Sequence, residues 1–247
     1  MNLSVITVCY NCEKALSRTL ASVEQQLDQD FEYIIIDGKS TDRTVEIAWE
    51  YNSKIKKMTI ISEEDMGIYD AMNKGVKLAG GDYVYFLNAG DCFYTDDVVL
   101  RIKKILTPQY DIVYGNIFAN DKIVLQRPNI TRRDLIYLER MICHQAIFAK
   151  RELLLNTPFD VKYKICADRD WLVKNLLLNK TFFYVKDMTI AVYDTTGVSS
   201  ISPLFYNESI MISKEYGGYS AFFFVKIKRL FGIVLKKLKN ITSNTFF

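Results

Sequence analysis

The sequence predicts an α/β fold, a mostly parallel central sheet flanked by helices and followed by an amphipathic helical tail. Two observations carry the sheet. Short runs of β-branched, aromatic and aliphatic residues alternate with segments whose apolar residues recur at helical spacing. Such alternation of strand and helix makes neighbouring strands parallel, with helices on both faces. A third observation, a run of basic and aromatic residues near the end of the chain, predicts the tail.

The elements follow in order. Residues 3–9 (LSVITVC) read as a strand, and Leu16, Leu20, Val23 and Leu27 then mark a helix. Residues 31–36 form a second strand ending at Asp37-Gly38. Ser40-Thr41-Asp42 supplies capping side chains ahead of Val45, Ile47 and Ala48. Residues 57–61 are a third strand. Residues 67–79 are helical, with Ile68, Ala71, Met72, Gly75 and Leu78 on one face, until Gly80-Gly81 stops them. Residues 83–87 are a fourth strand that turns abruptly polar at Asn88-Ala89-Gly90-Asp91.

Beyond residue 91 the pattern loosens. Helices are expected at 97–106, 131–138 and 169–178, the last opened by Asp168. Strands are expected at 111–118, 123–126, 146–148, 181–186 and 189–193. No boundary is visible before about residue 200, so residues 1–200 form one domain and 201–247 a separate helical segment. Wound at about 100° per residue, residues 222–241 place Phe223, Phe224, Ile227, Leu230, Phe231, Val234, Leu235, Leu238 and Ile241 on one face. Lys226, Lys228, Arg229, Lys236, Lys237 and Lys239 take the other. A basic helix with a broad apolar face lies in a membrane interface, or packs on its own domain with its charges solvated.

Composition narrows the function classes. The chain of 247 residues is 49% hydrophobic and 25% charged, an ordinary globular balance. A net charge of +3 gives no ground for a nucleic-acid partner. Five scattered cysteines suit a reducing cytoplasm rather than a disulfide framework. Cys9 and Cys12 make an isolated C-x-x-C, a zinc or redox pair or merely two small side chains at a strand end. No signal peptide is recognisable, and no apolar run reaches the ~18 residues of a membrane span. A cytoplasmic protein is expected, peripheral at the inner face of the membrane.

In open parallel sheets, ligands bind beyond the carboxyl ends of the strands. The residues there are Tyr10-Asn11, Asp37-Gly38, Glu63-Glu64-Asp65 and Asn88-Ala89-Gly90-Asp91. Several stretches, taken together, resemble the inverting family 2 glycosyltransferases: TVCYN, IIIDGKSTDRT, SEEDMGIYDAMNKG, YVYFLNAGD, the pair His144-Gln145, and CADRDW. The resemblance covers roughly residues 2–195. It implies the GT-A nucleotide-sugar-binding fold and transfer of a sugar from a nucleoside diphosphate to an acceptor hydroxyl.

The resemblance assigns Asp37 to the base or ribose, with Thr7, Tyr10 and Asn11 as walls of the same slot. It places Asn88, Ala89 and Gly90 where the family carries its Asp-x-Asp, leaving Asp91 as the carboxylate for Mn²⁺ or Mg²⁺. A hard cation can make do with one protein carboxylate if phosphates and waters supply the rest. Met72 stands where many relatives have an arginine, which shifts the nucleotide's needs to Asp65, Asp70, Asn73 and Lys74. Asp168 matches the catalytic base. Asp170 is the alternative, ~200° away on the same helix, and both could simply charge its start. His144 either meets the donor phosphates or acceptor edge, or is a satisfied core histidine. The expected donor is a UDP-hexose. The expected acceptor is a polyprenyl-diphosphate-linked saccharide of O-antigen, lipopolysaccharide or capsule synthesis. The rival is a non-catalytic sugar-nucleotide-binding subunit on the same fold. A nucleotidyltransferase would need a Gly-rich basic loop after the first strand, and CYNCEKAL is not one.

Overall fold

A computed structural model describes residues 1–138, 141–195 and 204–243, with side chains of the last segment described to residue 230. The strands are β1 (Leu3–Cys9), β2 (Glu32–Asp37), β3 (Met58–Ser62), β4 (Tyr83–Phe86), β5 (Cys92–Phe93), β6 (Ile112–Ala119), β7 (Lys122–Val124), β8 (Ile147–Lys150) and β9 (Phe182–Val192). The helices are α1 (Glu13–Glu24), α2 (Thr44–Glu50), α3 (Ile68–Leu78), α4 (Val98–Lys103), α5 (Arg132–Ile136), α6 (Arg151–Asn156), α7 (Ala167–Leu177) and α8 (Leu204–Ser243). One sheet runs β3-β2-β1-β4-β8-β6-β9-β5, with β7 paired to β6.

The first half is the expected parallel sheet: β2 and β4 flank β1, and β3 flanks β2. Every residue of β1 is buried, as a strand covered on both faces must be. The second half is mixed. β8 runs antiparallel to β4 and β6, whereas β9 is parallel to β6. The two strands expected at 181–186 and 189–193 are one, β9, whose register with β6 shifts around Asn116. That irregularity interrupts the side-chain alternation, so one strand reads as two.

On α1, Leu16, Leu20 and Val23 are buried as their spacing requires, but the helix ends at Glu24 and leaves Leu27 exposed. Ile68 and Leu78, at the two ends of α3, are likewise exposed, while Ala71, Met72 and Gly75 pack inward. Core residues fill both faces of the sheet, around Ile6, Ile34 and Trp171 on one and Val5, Leu16 and Tyr85 on the other.

The main departure is α8. It starts at Leu204, eighteen residues before the expected tail helix, and breaks at Gly218 (φ 65°, ψ −161°). Ser209, Ile212 and Ser213, ahead of the break, are fully buried. Residues 204–217 pack against the preceding domain, and so do Ala221 and Val225 beyond the Gly218 corner.

Two buried charges fasten this segment. Glu208 accepts backbone N–H bonds from Lys164 (2.7 Å), Ile165 (2.9 Å) and Cys166 (2.9 Å), capping the approach to α7. Arg169 on α7 is fully buried and donates to the carbonyls of Leu135, Ile136 and Ser209 and to the Ser213 hydroxyl. Removing one side of such an arrangement strands buried polar partners. Arg169→Ala and Glu208→Ala are each expected to lower the unfolding free energy by about 3–5 kcal/mol, read as a shift of the urea midpoint.

Candidate active site

The carboxyl ends of β1 to β4 form the rim where the sequence placed the site. At β2, Asp37 is fully buried. Its carboxylate accepts from the Ser40 N–H (2.9 Å), the Ser62 hydroxyl (2.6 Å) and the Ser40 hydroxyl. These bonds close the 37–40 turn and tie it to the end of β3. Asn11 continues the arrangement, its Oδ1 accepting from the Thr41 N–H (2.9 Å). Tyr10, 63% exposed, stands beside Gly38. A Cβ at Gly38 would lie 2.5 Å from Asp65 Oδ2 and 3.3 Å from the Tyr10 ring. Glycine thus lets the Tyr10 ring and the Asp65 carboxylate both approach bare backbone at the rim.

Other residues expected at the site bond to the scaffold. Thr7 is fully buried beneath the rim, donating to the Leu87 carbonyl (2.6 Å) with the Tyr33 hydroxyl at 2.8 Å. Asn73 exchanges two bonds with the Phe159 backbone (2.9 and 3.0 Å). Asp70 accepts from the Met66 N–H (3.1 Å) at the start of α3. Lys74 reaches the Glu64 carbonyl (2.5 Å) and the Glu63 carboxylate (2.9 Å), which hold its charge within the β3–α3 loop.

The turn after β4 is different. Asp91 is 3% exposed. Its carboxylate accepts from the Asp194 N–H (2.8 Å) and the Gln145 amide (3.2 Å). Burial pushes it up to about 6, against the pull of the Asp194 N–H and the Gln145 amide, while the Asp194 carboxylate pushes the same way as burial. Gly90 has φ 102°, and a Cβ there would meet Asp194 Oδ2 at 2.8 Å, so the turn requires glycine. Arg18 pairs with Asp194 at 2.5 Å. Asn88 is 8% exposed; its Nδ2 faces His144 and its Oδ1 is buried without a partner.

Among the described residues no group of three or more His, Cys, Asp or Glu is poised around a cation. A desolvated carboxylate and an unpartnered amide oxygen nevertheless fit a hard cation shared with phosphate oxygens. Asp91 and Asn88 would be its protein ligands.

The second half of the sheet brings Asp168 to this turn. Asp168 Oδ1 accepts from the Arg169 N–H (2.8 Å) and lies 3.2 Å from the Tyr69 hydroxyl, while Oδ2 lies 3.2 Å from His144 Nδ1. Asp170 points away, as the helical spacing requires. It is 1% exposed, bound by the Tyr216 hydroxyl (2.7 Å) and paired with Lys174 (2.7 Å). Behind Asp168 and His144 lies an apolar cavity walled by Val84, Phe86, Ile147, Phe159 and Trp171.

Sequence reasoning missed Gln145 as a partner of Asp91, and it missed Asp194. The strand-end rule applied to β9 would have flagged Asp194, which follows that strand by two residues.

A model of the family described as "Glycosyl transferase family 2" matches residues 4–197. The chain belongs to that family. A PGL/p-HBAD biosynthesis glycosyltransferase of Mycobacterium tuberculosis is 33% identical over 180 residues, covering 69% of this chain and 68% of its own. Among solved structures, S. aureus TarS 1-349 in complex with UDP-GlcNAc aligns with TM-score 0.70 at 21% identity, over 86% of this chain and 65% of TarS 1-349. The mannosyltransferase PcManGT from Pyrobaculum calidifontis, in complex with GDP-Man and Mn²⁺, aligns with TM-score 0.62 at 19% identity, over 85% of this chain and 60% of its own. These likenesses give the fold, which is GT-A. The chain spans about two thirds of the TarS 1-349 structures, 64% of the one in complex with UDP.

The raised Asp91 makes a stability prediction. Its folded value of about 6 exceeds the unfolded ~3.9. The folded state therefore holds a proton that the unfolded state has lost, and stability falls as pH rises through this window. The contribution is complete below about pH 4 and gone above about pH 6, worth up to about 3 kcal/mol. Asp91→Asn is expected to flatten this decline in urea midpoints measured from pH 4 to 7.

Proposed function

We propose that this glycosyltransferase acts with inversion, moving a hexose from a UDP-hexose to a hydroxyl of a polyprenyl-diphosphate-linked saccharide in O-antigen or capsule synthesis. One observation carries the catalytic part. A partly exposed carboxylate, Asp168, stands one imidazole away from the turn that offers Asn88 and Asp91 to a diphosphate.

The reaction follows from that arrangement. The Tyr10–Gly38–Asp65 slot holds the nucleotide. Asp168 takes the proton of the acceptor hydroxyl as that oxygen bonds to the anomeric carbon. The bond from that carbon to the β-phosphate breaks, and its electron pair leaves with the nucleoside diphosphate. A Mn²⁺ or Mg²⁺ held by Asp91 and Asn88 Oδ1 would neutralise charge developing on the leaving phosphates. Asp168 performs the base role because it can reach a rim-bound acceptor, whereas Asp170 is tied to Lys174 and Tyr216.

The membrane part rests on the second half of α8. Ala221 and Val225 pack on the domain, but Tyr219, Phe223, Phe224, Ile227 and Leu230 are exposed. Phe224 meets the Tyr137 ring only edge-on at 5.3 Å. Phe231, Val234, Leu235, Leu238 and Ile241, expected on the same face, lie outside the residues with described side chains. Lys226 and Arg229 stand over the rings of Phe222 and Tyr206, at 4.6 and 4.5 Å. No described helix is long and apolar enough to cross a membrane. An aromatic face with basic neighbours suits an anionic bilayer surface, where a lipid-linked acceptor would be met. The inner face of the cell membrane is the location this reading requires.

Two experiments test these statements. A panel of UDP- and GDP-sugars is offered with a GlcNAc-diphospho-lipid analogue and Mn²⁺ or Mg²⁺. Metal-dependent product from one donor is expected, with Asp168→Asn reducing turnover by about 10³-fold or more while retaining UDP binding. Near-normal turnover in that variant removes Asp168 as base. UDP binding without transfer or donor hydrolysis under any condition favours the non-catalytic subunit. Separately, deletion of residues 219–247 is expected to abolish sedimentation with anionic vesicles, and unchanged sedimentation contradicts the membrane reading.

A further inference from the structure

His144 is the chain's one histidine, and both its ring nitrogens are held inside the site. Nδ1 lies 3.2 Å from Asp168 Oδ2, and Nε2 lies 3.0 Å from Asn88 Nδ2. An amide NH₂ can only donate, so the Nε2 facing it must accept. The ring proton then sits on Nδ1 and points at Asp168. A protonated ring would set N–H against NH₂ across the Asn88 contact. Asn88 thus selects the neutral Nδ1–H tautomer, and that tautomer orients the carboxylate.

The consequence for Asp168 is asymmetric. Oδ1 accepts from the Arg169 N–H and lies 3.2 Å from the Tyr69 hydroxyl, whose one proton is shared with the Ile165 carbonyl, whereas Oδ2 meets only His144 among the described residues. Oδ2 is the oxygen with capacity left for an acceptor proton. The imidazole–carboxylate contact borders an apolar cavity lined by Val84, Phe86, Ile147 and Trp171.

We propose that His144 is a positioning residue rather than a donor ligand: it holds Asp168 Oδ2 toward the acceptor and couples that carboxylate to the Asn88–Asp91 turn. The inference rests on Asp168 being the base. It assigns the His-Gln pair two distinct tasks, with His144 serving the base and Gln145 serving Asp91.

The test separates the two ring contacts. The amide nitrogen of an asparagine at 144 can replace Nδ1, and that of a glutamine can replace Nε2. His144→Asn is expected to retain most of kcat. His144→Gln and His144→Phe are expected to lose about 10–100-fold in kcat, with donor KM changed by less than about twofold. A raised donor KM at unchanged kcat would make His144 a donor ligand and overturn the proposal. Equal losses in all three variants would also overturn it.

A second readout needs no turnover. In protein made without a histidine tag, the ¹⁵N imidazole spectrum reports this one ring. The neutral Nδ1–H tautomer is expected at pH 7.5, with Asp168→Asn and Asn88→Ala each shifting it toward Nε2–H. An Nε2–H tautomer in the wild type, or no response to Asp168→Asn, contradicts the proposal. Absence of transfer with every donor, alongside the expected spectrum, would instead count against the transferase reading alone.

Discussion

The guanidinium of Arg169 is the fixed point of the second half of the molecule. Burying it without a carboxylate carries a desolvation penalty of several kcal/mol. Burial pulls it down to about 10, which leaves it charged at neutral pH. Its donors meet the last carbonyls of α5 and the Ser209 carbonyl and Ser213 hydroxyl of α8. Helix carboxyl ends carry partial negative charge, so α5 offsets part of the penalty. The residue just before it is Asp168. A side chain that cannot move without stranding four partners therefore fixes the backbone of the proposed base to within the stiffness of the core. Glu208 does the same for the loop that leads into α7.

The site is a seam between two kinds of sheet. The parallel half delivers backbone turns and an exposed aromatic ring to one rim. The mixed half delivers Gln145, Asp168 and Asp194. The seam is closed by side chains: Gln145 to Asp91, His144 to Asn88, and the Tyr69 hydroxyl to the Ile165 carbonyl (2.7 Å) beside Asp168. Asp91 is desolvated there, which holds its carboxyl above the usual range. Groups perturbed in this way cluster at functional sites.

Much of the first half was legible because periodicity reports burial directly. β1 to β4 and α1 to α3 were read from alternating patterns that follow from strands covered on both faces and helices covered on one. The opposite directions of Asp168 and Asp170 follow from helix geometry alone, and the structure has them so. The start of α8 was not legible. Its buried residues include Glu208, Ser209 and Ser213, which satisfy partners distant in sequence and look like a loop in a hydropathy pattern. Thr7 and Asn73 were placed near the ligand by the resemblance and their position, and in the structure their side chains bond to Leu87 and Phe159. Polar side chains near a rim can serve the scaffold or the site, and sequence does not separate the two without the partner's position. Asp194 stayed hidden because the strand-end rule was applied only to the first four strands, although the strand expected at 189–193 ends directly before it.

The central claim is displacement at the anomeric carbon by an acceptor activated on the face opposite the leaving diphosphate. The configuration of the new bond tests it most directly. With a UDP-α-hexose donor, the product's anomeric proton coupling is read by NMR on the isolated saccharide. A β-linked product is expected. An α-linked product would mean retention, and Asp168 could not then be acting as the base of a single inverting displacement.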